Sequence, residues 1–391
     1  MSSINNKVVL PAAFILDLDD VMWHDGRDLR CIGQASRSEF PRYHVPEDYE
    51  VIDRLGKALN MKISCPICLG DWDKNNRLKG VVGPTHNPYG WNRKDEIDYE
   101  KTAKYFEAAE SSPYIDYAYH GLLHGLYDEC GRQMNEWEYF AEDENKNRSM
   151  LSDEEIELHL DLFDKIYSDW GFKKKINTFC PPCGIPLRDK SDWSEIERLS
   201  SLLYKRGVRY IIARWQKGNE FSRINSGVLY MEKNSRFGIN CAAYDVDPRY
   251  IQSFASEGDE SFGDVLGMHW TNFLHFHPEN NFNRIDSWVE WFNKQAEVFG
   301  VMLSRDMRFT GNQCIYRKNS TLTETKNKIT LDITRARLLG FDDLGDEIYV
   351  SFKNDFLPTF CEGGEMELYE EKKNFKTYRI TAHENIINFT L

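Results

Sequence analysis

The chain has 391 residues, 41% hydrophobic and 29% charged, a balance that supplies a sizeable core and excludes an intrinsically disordered protein. Its formal net charge of −14 lacks the basic excess with which proteins engage phosphate backbones, so neither nucleic acid nor an anionic membrane surface is an expected partner. No run of about 18 apolar residues offers a membrane span. Nine cysteines, an odd number scattered along the chain, fit a reducing cytoplasm better than a disulfide framework. The opening MSSINNKVVLPAAFILDLDD lacks a signal-cleavage pattern and reads as a first core strand. Aromatics reach 14%, with 10 Trp and 20 Tyr; flat rings suit the apolar faces of sugars, although large barrels also bury many of them.

In chain order, residues 8–16 (VVLPAAFIL) form a near-continuous apolar run ending in acids, the pattern of a strand buried on both faces with its polar tip at a site. A helical stripe through Val51, Ile52, Leu55 and Leu59 follows, then a strand in MKISCPI and a long polar excursion over 70–93. YIDYAYH (114–120) reads as a strand running into the turn-like HGLLHG. EDENKNRSMLSDEE reads as a solvated charged loop leading to a helix capped by Ser152, with Glu155 at its third position. Strands are expected in KINTFC, GVRYIIARW, TNFLHFH and VMLSRD, with helices around SEIERLSSLLYKR and DSWVEWFNKQAEVF. Strands alternating with helices, each ending in polar residues, predict a parallel (β/α) barrel over residues 1–304 whose carboxyl ends carry the chemistry. Over 305–391 the pattern shifts to short alternating stretches without a convincing long helix, which predicts a small antiparallel β-sandwich.

Three polar clusters fall at expected strand ends: Asp17, Asp19 and Asp20; His120 and His124; His275 and His277. Two histidines four residues apart can converge on one metal, whether they share a helical face or flank a tight turn, and one carboxylate completes a site that leaves positions open for water and substrate. A bound Zn²⁺ lowers the pKa of water from about 15.7 to about 7 and polarises a carbonyl, so a neighbouring carboxylate can finish the deprotonation. Histidine plus carboxylate suits several divalent ions, zinc being the first expectation.

These residues resemble the NodB-like polysaccharide deacetylase superfamily. LDLDDV offers its aspartate pair as Asp19 and Asp20, YHGLLHG its His-x-x-x-His motif as His120 and His124, and FCPPCG (179–184) and FLHFHPEN (273–280) stand for its proline-rich and late-histidine motifs. The resemblance covers roughly residues 8–305 and implies a barrel of seven strands and removal of an acetyl-type group from a carbohydrate. It further implies a divalent metal on Asp20, His120 and His124, with Asp19 as general base. The late histidine would protonate the leaving group. His277, next to Pro278 and so nearer the mouth, is the candidate acid, and His275, two residues earlier on the same strand face, would contact substrate. The family's base-orienting arginine is missing from 179–184, and Arg214, ending another expected strand, is a candidate replacement. In the 70–93 excursion Trp72 and Trp91 could stack on sugar rings, or the segment could be a structural lid.

Other readings compete. FILDLDDVMWHDG also resembles the first motif of haloacid-dehalogenase-type phosphatases, in which Asp17 would be the nucleophile, but no downstream lysine or acidic pair stands at a clear strand end. Cys65 with Cys68 and Cys180 with Cys183 spell two C-x-x-C pairs, compatible with structural zinc or a dithiol centre; each follows an apolar strand, which favours ordinary strand-end thiols. A non-catalytic carbohydrate-binding protein is the alternative from outside enzymology.

Overall fold

The computed structural model describes residues 7–24, 26, 40–186, 193–213, 222–234, 243–251 and 264–391. Arg214 lies outside them. Seven parallel strands close into a barrel: β1 (Ala13–Asp19), β2 (Ile63–Cys68), β3 (Ile115–Gly121), β4 (Thr178–Phe179), β5 (Tyr210–Ala213), β6 (Val228–Asn234) and β7 (Val265–His269). Each pairs with the next, and β7 returns to β1, so spatial order follows chain order around the ring. The β1 run is buried along its length and rich in apolar residues, as a strand covered on both faces must be. Helices Pro46–Leu59, Tyr99–Ser111, Asp153–Trp170, Ser194–Lys205 and Ile285–Phe299 pack outside. The expected cap at Ser152 forms: its hydroxyl accepts from the Glu155 N–H, and the Glu155 carboxylate accepts from the Ser152 N–H.

Beyond the barrel lie two four-stranded sheets, one containing Glu347–Lys353 and Phe375–Ala382, the other Lys328–Asp332 and Ile386–Thr390. Their pairings are antiparallel, and the Phe352 and Phe389 rings meet between them at 5.2 Å.

Four sequence expectations change. The run 8–16 is two elements: Val8–Val9 pairs with Ser351 and Phe352 of the C-terminal sheet, and the barrel strand starts only at Ala13. Pro11, which has no N–H to donate, lies between them. The charged stretch after Phe140 is partly a hairpin, Phe140–Glu142 with Arg148–Met150, in which Glu142 and Arg148 pair at 2.7 Å. A helix, Met307–Asn319, does follow residue 304; it escapes a periodicity search because it is buried on several sides, with Gln313 bonded to Pro11 and Tyr349. TNFLHFH is not a strand: β7 ends earlier, at His269, and Trp270–Phe273 is a 3₁₀ turn whose buried Asn272 accepts from the His269 N–H.

One buried network anchors the chain beside the barrel mouth. Asp48 accepts from both terminal nitrogens of Arg42 (2.8 and 2.7 Å), from the Val45 N–H (3.1 Å) and from Asn281 (2.7 Å), and lies 3.0 Å from His44 Nδ1. Burial pushes its carboxyl up, but the bonds from Arg42 and His44 outweigh that and hold it at about 2. A folded value below the unfolded one means a contribution present above pH 4 and lost as pH falls toward 2, worth about 2 kcal/mol for a shift of this size. Asp48→Asn, which leaves the partly buried Arg42 guanidinium without its counter-charge, is expected to cost about 2 kcal/mol at pH 7 and to flatten the acid dependence between pH 4 and 2. Urea midpoints at pH 7 and pH 3 measure both; an unchanged pH 7 midpoint would refute the anchoring role.

Candidate metal centre

The site forms where β1 and β3 end. Residues 17 and 19 lie two apart on β1 and project to the same side. Asp20 then takes a left-handed conformation (φ 65°), which aspartate tolerates, and this bend lets consecutive aspartates serve one site. On β3, His120 is followed by Gly121 at φ 126°, where a Cβ would sit 2.2 Å from a Glu138 carboxylate oxygen. Only glycine admits that approach. Glu138, fully buried, accepts from the Leu122 N–H at 2.9 and 2.7 Å and so secures the turn that returns His124 to the site.

Three imidazoles surround one carboxylate. His120 Nε2 and His124 Nε2 stand 3.6 and 3.7 Å from Asp20 Oδ1, and His269 Nε2 stands 3.7 Å from Asp20 Oδ2. Burial raises the Asp20 carboxyl, but His124, His120 and His269 more than offset it and hold it far below the usual carboxylate range. His120 Nδ1 lies 2.6 Å from the Cys180 carbonyl, which can only accept, so Nδ1 carries a proton and the neutral ring has its lone pair on Nε2; burial lowers the ring's pKa, but Asp20, Asp19 and the carbonyl outweigh it and raise it. That Nε2 and Asp20 Oδ1 are both buried without a hydrogen-bond partner. Their spacing is too long for a hydrogen bond but fits two ligands of one ion, since bonds of about 2.0–2.2 Å separate ligand atoms by roughly 3–3.6 Å. A carbonyl acceptor behind a ligating imidazole is also the usual support in metal sites. The donor set fits a divalent metal.

Asp19 faces the adjoining space. Lys233 Nζ donates to both of its oxygens at 2.5 Å and lies 2.6 Å from Asp17 Oδ2. Burial pushes Asp19 up, yet Lys233, His120 and His269 together bring it below its ordinary value. Asp17 is fully buried and, with burial outweighing Lys233, is raised to about 6.

The other expected site residues that the structure describes have partners of their own. His277 is largely exposed, its nearest charged partner Glu279 at 4.0 Å, and His275 is 3.9 Å from Asp245. Because β7 ends at His269, the histidine that reaches the carboxylates is His269, the register partner of Asp19. Trp72 is buried, donating to the Met22 carbonyl and packed edge-on against Trp170; Trp91 is buried and donates to Asp73. Neither indole offers a face to a sugar, so the 70–93 excursion packs as a structural element around them.

The thiols separate. Cys68, Asp20 and His120 have ligand atoms within 4.8 Å of one another, as do Cys180, Asp19 and His120. Cys65 is buried within β2, and Cys183 is exposed beside Glu136 at 2.9 Å. One cysteine of each pair thus borders the centre, a convergence that spacing along the chain does not reveal. His269 and Lys233 are likewise not marked out by local pattern. VLGMH is short and interrupted by glycine, and Lys233 is the penultimate residue of VLYMEKN, a stretch whose apolar start and polar end show no period-2 alternation.

Neither a protein-family model nor a curated protein sequence matches this chain. Among solved structures it is similar to the crystal structure of Agd3, a novel carbohydrate deacetylase, with a TM-score of 0.52 and 10% identity over 97% of this chain and 65% of that one. This chain therefore spans about two thirds of that structure's length. A family 4 carbohydrate esterase from Streptomyces lividans in complex with acetate is a weaker likeness, with a TM-score of 0.30 and 11% identity over 75% of this chain and 91% of that one, and carries no argument. In fold, then, this chain is similar to the structure of Agd3, with a closed seven-stranded parallel barrel and two antiparallel sheets beyond it.

Proposed function

We propose that this chain is a metal-dependent hydrolase that removes an acetyl or related acyl group from a carbohydrate, an N-acetylated sugar foremost. The observation that carries the reading is the buried, unpartnered Asp20 Oδ1 with two imidazole Nε2 atoms 3.6 and 3.7 Å away. Asp20, His120 and His124 would hold the ion, zinc being the first candidate. When bound, the ion supplies Lewis acidity, which makes water easier to deprotonate and polarises an acyl carbonyl. Asp19, adjacent in sequence and turned into the same space, takes the proton from water. His269 stands on the other oxygen of Asp20 and is partly exposed, so it is placed to give a proton to the departing amine or alkoxide. The barrel is assigned to residues 1–304 and the two β-sheets, as a sandwich, to 305–391, with Val8–Val9 lending an edge strand to the latter.

The phosphatase reading is less well supported. Asp17 would have to attack phosphorus, yet it is fully buried, even though Lys233, 2.6 Å away near the end of β6, supplies the lysine that the sequence alone does not place there.

Elemental analysis of the purified chain, with acetate release measured from N-acetylglucosamine oligomers and from O-acetylated glycans, tests the proposal. One divalent ion per chain and chelator-sensitive acetate release are expected. A metal-loaded chain that releases acetate from none of these substrates would overturn it. Within the same assay, His269→Gln is expected to retain the ion and to lower turnover by roughly 10²-fold or more, the usual worth of a positioned acid.

A further inference from the structure

A lysine buried behind the centre has no place in the chemistry above. Lys233 belongs to β6, and Asp17 and Asp19 belong to β1; β7 lies between them in the ring. To reach the aspartates, the lysine side chain has to cross β7. It does so at Gly267, the register partner of Asp17, where a Cβ would stand 2.1 Å from Lys233 Cε, 2.9 Å from Cγ and 3.0 Å from Cδ. The missing side chain on β7 is the lane through which the lysine passes.

At the end of that lane the ammonium meets both oxygens of Asp19 at 2.5 Å, Asp17 Oδ2 at 2.6 Å and Cys180 Sγ at 3.5 Å. Lysine is 6% exposed here, a placement that is costly for an ammonium unless it is paired. One carboxylate, Asp17, would suffice for pairing. The lysine instead engages both oxygens of Asp19, which fixes the plane of a carboxylate standing at a strand end, next to a residue in the left-handed region. Burial pushes the ammonium's pKa down, but Asp17 and Asp19 outweigh it and keep the lysine charged.

We propose that Lys233 is the positioning residue for Asp19, holding the general base in one orientation from the side opposite the substrate, with Asp17 as counter-charge and Gly267 as the opening that makes the contact possible. This inference rests on the reading of Asp19 as base.

Lys233→Met, Gly267→Ala, Asp19→Asn and the Lys233→Met/Asp19→Asn double variant are compared in the full chain for bound metal and for kcat and KM of acetate release from N-acetylglucosamine oligomers. Misplacing a reacting group by about 1 Å costs on the order of 10²-fold. Lys233→Met is therefore expected to keep its metal and its KM while kcat falls about 10²-fold. Residues acting as a unit give non-additive losses, so the double variant is expected to be no slower than Asp19→Asn alone. Gly267→Ala, which displaces the lysine without removing any charge, is expected to lower kcat about tenfold at unchanged metal content, and it decides the matter if Lys233→Met does not fold. Multiplicative losses in the double variant, loss of metal with Lys233→Met, or wild-type kcat in Gly267→Ala would overturn the proposal. Unchanged kcat in Asp19→Asn would instead show that the underlying assignment of the base had failed.

Discussion

Alanine at both His120 and His124 is expected to take the protein from one bound divalent ion per chain to essentially none and to lower acetate release by about 10³-fold or more, because Lewis-acid stabilisation is worth several kcal/mol and each 1.4 kcal/mol is a factor of ten. The fold should survive. The two imidazoles stand at the rim of a barrel whose core is formed by other residues, and the turn between them is secured by Glu138, which the substitutions leave in place. A second readout does not depend on turnover. A ligand that binds only the folded protein raises its stability by about 4 kcal/mol at a thousand times its Kd, so added zinc should raise the unfolding temperature of the wild-type chain and leave the double variant unmoved. Undiminished metal content in the double variant would sink the assignment of the centre.

The second large effect separates the aspartates of β1. Asp20→Asn is expected to weaken metal binding, since a neutral amide offers the ion less charge. Asp19→Asn is expected to leave the ion bound and to lower turnover by roughly 10²- to 10⁴-fold, the range for a positioned base. The distinction follows from where each side chain ends. Asp20 Oδ1 faces His120 Nε2 and His124 Nε2, whereas both oxygens of Asp19 are taken by Lys233. Assaying these two variants and Asp17→Asn for metal, acetate and phosphate tests the rival chemistry in the same experiment. Phosphate release that depends on Asp17 would replace the deacetylase reading by the phosphatase one.

Much of this molecule is legible along the chain. Period-2 and continuous apolar runs mark the barrel strands, a capping box marks the helix after Ser152, and the acids and histidines that end strands follow from the rule that a parallel sheet carries its chemistry at its carboxyl ends. Asp19, Asp20, His120 and His124 could be singled out because each cluster is local: an adjacent pair, and two histidines four apart beside glycines. The indoles of Trp72 and Trp91 could not be judged in this way, since a tryptophan on a loop reads the same whether it faces solvent or, as here, packs inward with its N–H bonded to a carbonyl or carboxylate.

Local pattern thus determined the alternation of strands and helices, the acidic and metal-compatible character of the site, and two of the strand ends that carry it, because these depend on residues within one turn or one strand of each other. Ring closure decided the rest. It placed β7 beside β1, so that His269 became the register partner of Asp19, and it placed β6 one strand further on, so that a lysine more than two hundred positions from Asp19 could reach it across Gly267. Those contacts depend on where a strand stops and on a side chain that is absent from a third strand. Neither leaves a periodic trace in the sequence, because each is a property of strands that become neighbours only when the barrel shuts.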